Sequence, residues 1–327
     1  MSNQSVVATG VTLAGVMAHC GGNPVGAVKL LVGAMASAPA APEPYAALAD
    51  LRQSGHAELK AGLEGDGSLS TVPAQAYLLF LDGDMDNAVM ALGSVTGVKP
   101  GVPWGAAPWF GDARFLDTVS AEALAEACLR ALDYGQDLDS DEMRERFVPW
   151  FHAIDRVSRR SPVPESLAAM ARLPRACGRY GLSFTLCDRA DAGGRVMWTA
   201  VARANTWRAT GDLGRAAEAF EDALALDPRN WSLHLDLGDV RAEQGDFAAA
   251  VALAEQGLRH EPQEISLRVA AAAYRTRLSG SSDDLRALAA LAPELTNTPY
   301  RDLLIDYACA GPGLPPGLVA EVRHIRN

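Results

Sequence analysis

The chain is poor in lysine, and this shortage excludes one class of partner. Lysine occurs only at Lys29, Lys60 and Lys99, and the 327 residues carry a formal net charge of −11. General binding to nucleic acid is not expected, because the neutralisation of phosphates requires clustered lysine and arginine side chains.

Cysteine is also scarce, and its spacing excludes two kinds of stabilising site. The five cysteines form no C-x-x-C pair and are Cys20, Cys128, Cys177, Cys187 and Cys309. An odd and scattered set of thiols predicts neither a disulfide framework nor a zinc site. We therefore expect no metal and no cofactor, and a reducing cytoplasm is the simplest compartment.

Long apolar runs and aromatic side chains are both lacking. No segment has the roughly 18 uninterrupted apolar residues that a membrane span requires, and no positive side chain precedes Val6 as a secretory leader would need. Aromatic residues are 6% of the chain, whereas 49% is hydrophobic and mostly Ala, Leu and Val. Such a mixture favours closely packed helices over a sheet.

What the chain does have is a pattern that recurs after 34 residues. Gly211, Ala216, Ala223 and Pro228 are followed at this offset by Gly245, Ala250, Gly257 and Pro262. A period of this length indicates stacked helical hairpins. The predicted helices, which alternate with Gly-Asp turns and end before a proline, are 195–211, 213–226, 231–244 and 247–260.

These residues resemble the tetratricopeptide repeat family from Met197 to Glu264. The resemblance is carried by the small residues and prolines above and by Trp207 and Phe220, which match aromatic positions of the family. Arg241 and Ala254 depart from those positions in the second unit. The resemblance implies an all-α fold, a right-handed superhelical solenoid of helical hairpins.

Weaker copies of the template near the start divide the chain into three predicted segments. One copy holds Gly22, Ala27, Leu31, Ala34 and Pro39, and another holds Gly83, Ala88, Leu92, Val95 and Pro100. We therefore predict repeats in 1–102, an irregular helical middle in 103–194, and repeats with capping helices in 195–327. A distorted hairpin is expected between the two copies, with helices at 45–52 and 56–63.

The middle and the end of the chain are predicted to be helical with irregularities. Helices are expected at 119–134, 140–159 and 164–180, with Pro149 as a kink or break and Pro174 as a similar hazard. A strand hairpin of 182–187 with 196–199 is the less favoured alternative to helices there. The last helices are expected at 265–278, 283–291, 300–309 and 318–325.

Members of the resembled family bind peptides along the groove made by the first helix of each hairpin. The candidate groove residues are Trp198, Val201, Asn205, Arg208, Leu235, Asp239 and Glu243, with Thr12, Val16, His19, Tyr77 and Phe80 in the N-terminal units. Asn205 matches a carboxylate-binding asparagine of chaperone-binding members. Val201, Ser232 and Asp236 stand where those members have basic residues, so a carboxylate clamp is not supported.

The sequence leaves three functions open. The favoured one is a scaffold that binds a protein segment, preferably a basic one, because 212–264 holds twelve acids and four arginines. An enzyme or small-molecule binder built on the middle region is the second, with His152 and Asp155 as an acid–base pair, although no catalytic motif is present. The third is a self-assembling or accessory subunit.

Two further patterns in the middle have simpler explanations. His152 and Asp155 are also typical of a local ion-paired helix edge. Trp104, Trp109 and Phe110 are interpreted as a plug between irregular repeats, with a ligand pocket as the alternative.

Overall fold

A computed structural model describes residues 12–54, 63, 69–132 and 138–326. Every regular element in these residues is a helix, and they contain no strand. The all-α prediction is confirmed, and helices occupy the place of the alternative strand hairpin. The chain divides into two compact units, Met1–Arg195 and Val196–Asn327.

The first unit contains twelve α-helices within its described residues. They are α1 Leu13–His19, α2 Pro24–Ser37, α3 Pro42–Gln53, α4 Val72–Asp82, α5 Met85–Val98, α6 Ala113–Leu116, α7 Ala121–Arg130, α8 Asp141–Arg146, α9 Val148–Arg160, α10 Pro164–Met170, α11 Arg172–Ala176 and α12 Tyr180–Asp191. Two short 3-10 helices, Trp104–Ala106 and Pro108–Gly111, connect α5 to α6. The helix predicted at 56–63 lies outside the described residues except for Leu63.

The second unit holds four successive antiparallel helix pairs. Its helices are α13 Met197–Ala209, α14 Leu213–Leu226, α15 Trp231–Glu243, α16 Phe247–His260, α17 Ile265–Ser279, α18 Ser282–Leu291, α19 Thr298–Cys309 and α20 Pro316–Arg323. Each pair packs internally, and α14 packs on α15 as α16 packs on α17. The third hairpin and the capping helices lie where the sequence predicts them.

The turns of the second unit follow from two residue types. Gly211 and Gly245 adopt φ values of 81° and 83°, which side chains other than glycine rarely tolerate. Asp212 then accepts a hydrogen bond of 3.0 Å from the Arg215 amide, and Asp246 accepts one of 3.0 Å from the Ala249 amide. Each aspartate thus satisfies an amide that the start of the following helix leaves without a partner.

Proline breaks the middle of the first unit as predicted. The expected helix 140–159 is split into α8 and α9, because Pro149 stands in the first turn of α9, where its missing amide costs nothing. The expected helix 164–180 is likewise divided into α10 and α11. Ser120 caps the start of α7 by accepting a hydrogen bond of 3.0 Å from the Ala123 amide.

Small residues bring α5 and α7 into backbone contact. A Cβ atom built on Gly93 would stand 2.8 Å from the Cα atom of Ala127. Because real side chains do not approach so closely, only glycine permits this packing. The packing of α5 on α7 therefore depends on the absence of a side chain at Gly93.

In the described part of the chain no helix is both long enough and apolar enough to cross a membrane.

Candidate functional site

An ion pair joins the first helices of two successive hairpins. The Nε atom of Arg208 on α13 donates a hydrogen bond of 2.9 Å to Oε1 of Glu243 on α15. Burial lowers the pKa of Arg208, but the bond to Glu243 and the charges of Asp239 and Asp236 outweigh it and raise that pKa. Asp239 and Glu243 both lie on α15, and Glu243 is the one that binds the Arg208 guanidinium.

Asp239 is the most buried of the acidic candidates, with 7% of its surface exposed. Its Oδ1 atom accepts a hydrogen bond of 2.8 Å from the Tyr300 hydroxyl on α19 and a second from the Tyr274 hydroxyl on α17. Burial raises the pKa of Asp239 even though both hydroxyls favour its charged form. Asp239 therefore connects three helices and presents little surface to a partner.

Asp236 is an acidic residue that the sequence prediction left out of the groove. It is half-buried one turn before Asp239 on α15. Burial and the charge of Asp239 raise the pKa of Asp236 to about 6, against the opposing charge of Arg208. The periodic spacing of Asp236 and Asp239 along the helix was the signal that places them on one face.

Aromatic rings from the end of the chain complete this surface. The ring of Tyr307 on α19 stands 5.5 Å from that of Phe247 and 6.4 Å from that of Tyr274. The guanidinium of Arg277 lies 5.1 Å over the Phe247 ring, at cation–π distance. The 34-residue pattern does not extend to α19, so it gave no signal for Tyr300 or Tyr307.

The remaining candidates of the second unit differ in accessibility. Trp198 is 53% exposed, whereas Val201 and Leu235 are partly buried. The side-chain amide of Asn205 donates a hydrogen bond of 3.0 Å to the Val201 carbonyl one turn earlier. We call the predicted set in this unit the first-helix face: Trp198, Val201, Asn205, Arg208, Leu235, Asp239 and Glu243.

In the first unit the candidates separate into an exposed pair and a buried set. Thr12 and His19 are exposed, and Thr12 caps α1 by accepting a hydrogen bond of 3.2 Å from the Gly15 amide. Val16, Tyr77 and Phe80 are buried, with 3%, 9% and 7% of their surface exposed. The structure does not bring these five residues into one described surface cluster.

The two buried rings belong to a chain of aromatic contacts. The Tyr77 ring stands 5.0 Å from that of Tyr45, and the Phe80 ring stands 5.5 Å from that of Trp109. Phe110 continues the chain to Trp150 at 4.9 Å. Trp109 and Phe110 are almost fully buried, which agrees with the interpretation of the connector as a plug.

The proposed acid–base pair of the middle region is an ion-pair network instead. Asp155 accepts hydrogen bonds of 3.0 Å from Arg159 and 2.8 Å from Arg189. Burial alone would raise the pKa of Asp155, but the two arginines outweigh it and lower that pKa. His152 is exposed on the same helix and has no hydrogen bond to Asp155 in the described residues. A carboxylate held in this way is a weak proton acceptor.

The cysteines of this region are suited to packing. Cys128, Cys177 and Cys187 are buried, and burial raises the pKa of Cys177 to about 12. A thiol that stays protonated is a poor nucleophile and a poor metal ligand. Within the described ranges, no group of three or more His, Cys, Asp or Glu side chains is arranged to hold a metal ion.

One family model matches the chain, over residues 208–274, and its description is tetratricopeptide repeat. A comparison with curated proteins gave no match. The matched segment runs from the Arg208 that pairs with Glu243 to the Tyr274 that bonds Asp239, so it spans the centre of the first-helix face.

Solved structures with a similar arrangement are known from bacteria and from human. A tetratricopeptide repeat protein of Parabacteroides merdae is 14% identical, with 95% of this chain and 94% of that chain covered and a TM-score of 0.40. The thermophilic TPR protein TTC0263 of Thermus thermophilus is 16% identical, with 64% and 99% covered and a TM-score of 0.37. The human IFIT1 dimer with PPP-AAAA is 15% identical, with 88% and 68% covered and a TM-score of 0.41. At these scores the solved structures carry no argument, and the similarity to tetratricopeptide repeats rests on the match over residues 208–274 and on the repeat pattern.

Proposed function

We propose that this chain, which carries tetratricopeptide repeats over residues 208–274, is an interaction scaffold that binds a segment of another protein along the first-helix face. The tetratricopeptide fold typically mediates protein interactions. The alternative enzyme with His152 and Asp155 as its acid–base pair is less favoured, because Asp155 is held by two arginines.

The observation that carries the proposal is the exposure of Trp198. This side chain is 53% exposed, and it lies on the same side of α13 as Val201, Asn205 and Arg208, which follow it at helical spacing. A large exposed aromatic ring gains more free energy than most side chains when a partner covers it, and tryptophan is enriched among the residues that dominate interfaces. Trp198 is therefore the expected anchor of the interface.

The charge near this anchor favours a basic partner segment. Arg208 is already paired with Glu243, so it offsets the charges of Asp236 and Asp239 on α15 only in part. The stretch 212–264 has a local net charge of −8, from twelve acids and four arginines. Electrostatic attraction of this kind accelerates encounter and weakens as salt screens it.

The test compares two exposed apolar side chains in the full chain. Trp198→Ala removes the anchor, and Leu226→Ala removes a side chain of similar exposure, 51%, at the end of the second helix α14. Partners copurified from the native cell with the wild type and each variant are quantified by mass spectrometry, and the affinity of the recovered segment is then measured by titration calorimetry at several salt concentrations.

We expect Trp198→Ala to weaken binding by about 2 kcal/mol, or roughly thirtyfold, and Leu226→Ala to leave it nearly unchanged. Binding by the wild type is expected to weaken as salt rises. Equal recovery of the same partners by the wild type and by Trp198→Ala would show that the first-helix face is not the binding site.

A further inference from the structure

A pocket of about 300 Å³ opens between α16, α17 and α18. Its walls are apolar: Leu258 and Pro262 on one side, Ala287 and Leu291 on the other. The volume is at the lower end of the range for small-molecule pockets, and it suits one medium-sized apolar group.

Helix α17 contributes the polar part of the pocket. Arg268, Ala272 and Arg275 follow one another at helical spacing, so they lie on one side of the helix and line the pocket together. Arg275 is engaged within the protein, by Glu255 at 3.3 Å and by Asp284 at 3.1 Å. Arg268 is partly buried, and its side chain makes no ion pair or hydrogen bond within the described part of the protein.

The preceding hairpin shows which of these arginines is structural. Arg241, 34 residues before Arg275, pairs with Glu221, 34 residues before Glu255, at 2.5 Å. The bond of Arg275 to Glu255 thus recurs at the same positions of both hairpins. It joins the second helix of one hairpin to the first helix of the next and does not depend on a ligand.

Arg268 differs from its equivalent in the preceding hairpin. His234 occupies that place and is held by internal contacts, since its Nε2 atom lies 3.1 Å from the Pro228 carbonyl oxygen and its ring stacks on His260 at 5.6 Å. Arg268 replaces this neutral, packed ring by a cation, in a chain with a net charge of −11. A partly buried guanidinium without a protein partner is complementary to an external anion.

We propose that this pocket binds a carboxylate attached to a medium-sized apolar group. The guanidinium of Arg268 pairs with the carboxylate in the two-point geometry that arginine favours, and the walls around Leu258 and Leu291 cover the apolar body. Arg275 adds little attraction for the carboxylate, because Glu255 and Asp284 already pair with it.

The pocket is separate from the first-helix face. Val269, Ala273 and Arg277 continue on α17 the positions of Leu235, Asp239 and Glu243, and they lie roughly 100–180° around the helix axis from Arg268. The inference does not rest on the proposed function, and Trp198→Ala is expected to leave binding at this pocket unchanged.

The test uses N-acetylleucine as the probe, because it combines a free carboxylate with one medium apolar side chain. Ligand-detected NMR titration of the full chain measures its affinity, together with that of N-acetylleucinamide, which lacks the charge, and of hexanoate, which lacks the peptide group. Hexanoate distinguishes a free alkanoate from the C-terminal residue of a peptide as the source of the ligand.

Two variants change the pocket, and one matched variant leaves it intact. Arg268→Gln removes the cation, and Ala287→Leu narrows the exposed rim without disturbing a buried position. Arg259→Gln removes an exposed arginine of α16 that does not line the pocket. Circular dichroism establishes that all three remain folded.

We expect the wild type and Arg259→Gln to bind N-acetylleucine, and Arg268→Gln, Ala287→Leu and the uncharged amide each to lower the affinity by at least about tenfold. Tighter binding of N-acetylleucine than hexanoate assigns the pocket to a peptide C-terminus, and the reverse assigns it to a free acid. Failure of the wild type to bind either acid, or equal affinity in Arg268→Gln, overturns the proposal.

Discussion

The Tyr300 hydroxyl donates a hydrogen bond of 2.8 Å to the Asp239 carboxylate, across 61 residues of sequence. The donor lies on the capping helix α19 and the acceptor on α15 of the second hairpin. The main role of Asp239 is therefore to hold the capping helix α19 against the repeats, and binding a ligand is secondary.

Removal of this hydroxyl is expected to destabilise the second unit. Tyr300→Phe leaves Asp239 buried with one donor fewer, and the loss of a hydrogen bond to such a group costs about 1–3 kcal/mol. Equilibrium urea unfolding measures the change. Tyr180→Phe is the matched control, because its hydroxyl has no hydrogen bond in the described residues, and it should change the free energy of unfolding little. Equal effects of the two substitutions would contradict the assigned role of Tyr300.

The raised pKa of Asp236 predicts a pH dependence of stability with a definite sign. The folded protein holds this proton up to about pH 6, whereas the unfolded chain releases it near pH 3.8. Between these values the folded state binds more protons, so the contribution of Asp236 to stability falls as the pH rises. Asp236→Asn cannot ionise, and its stability relative to the wild type should increase from pH 4 to pH 7.

Asp155 offers the opposite case for comparison. Its arginine neighbours lower its pKa, so its stabilising contribution is present above the unfolded value and is lost as the pH falls through the folded one. The stability difference between Asp155→Asn and the wild type should therefore change only below about pH 4. Urea unfolding of both variants and the wild type, measured from below pH 4 up to pH 7, tests the two expectations. A stability difference between Asp236→Asn and the wild type that stays constant with pH would refute the raised pKa of Asp236.

The crossing of α5 and α7 should not tolerate a side chain at residue 93. Gly93→Ala places a methyl group 2.8 Å from the Ala127 Cα atom, and such overpacking costs about 1–3 kcal/mol. Gly33→Ala is the control, because it lies inside α2 with no atom within 4 Å of the new methyl group. It is expected to stabilise the helix by about 0.5–1 kcal/mol. Thermal or urea unfolding measures the change in the free energy of unfolding for each variant. A change of the same sign in Gly93→Ala and Gly33→Ala would contradict the close packing of α5 on α7.

The hairpins were predictable from the sequence because their determinants are local. Gly211 and Gly245 set the turns, and the prolines that follow α14 and α16 end the second helices, so each boundary depends on residues near it. The spacing alone does not decide whether Arg208 pairs with Asp239 or with Glu243, since both acids lie on the facing side of α15.

The burial of Asp239 could not be predicted in the same way. The repeat pattern treats its position as open to a partner, but Tyr274 and Tyr300 reach it from helices whose sequences depart from the pattern. Phe80 shows the same limit in the first unit, because Trp109 from the irregular connector packs against it. Periodicity identifies a face of a helix, whereas the residues that cover the face come from distant and non-repeating parts of the chain.

The bond between Tyr300 and Asp239 has a consequence for how the second unit opens. The end of a helical array ordinarily frays first, and its amides exchange with solvent faster than those of the interior. When α19 detaches, Asp239 in the middle of the array loses the hydrogen bond from the Tyr300 hydroxyl. Unfolding of the terminus and loosening of the interior are therefore energetically linked. The backbone amides of α15 and α19 are thus expected to exchange with solvent through the same opening event. A shortened protein that ends before residue 298 would lack the Tyr300 hydroxyl and would leave Asp239 with one hydrogen-bond donor fewer.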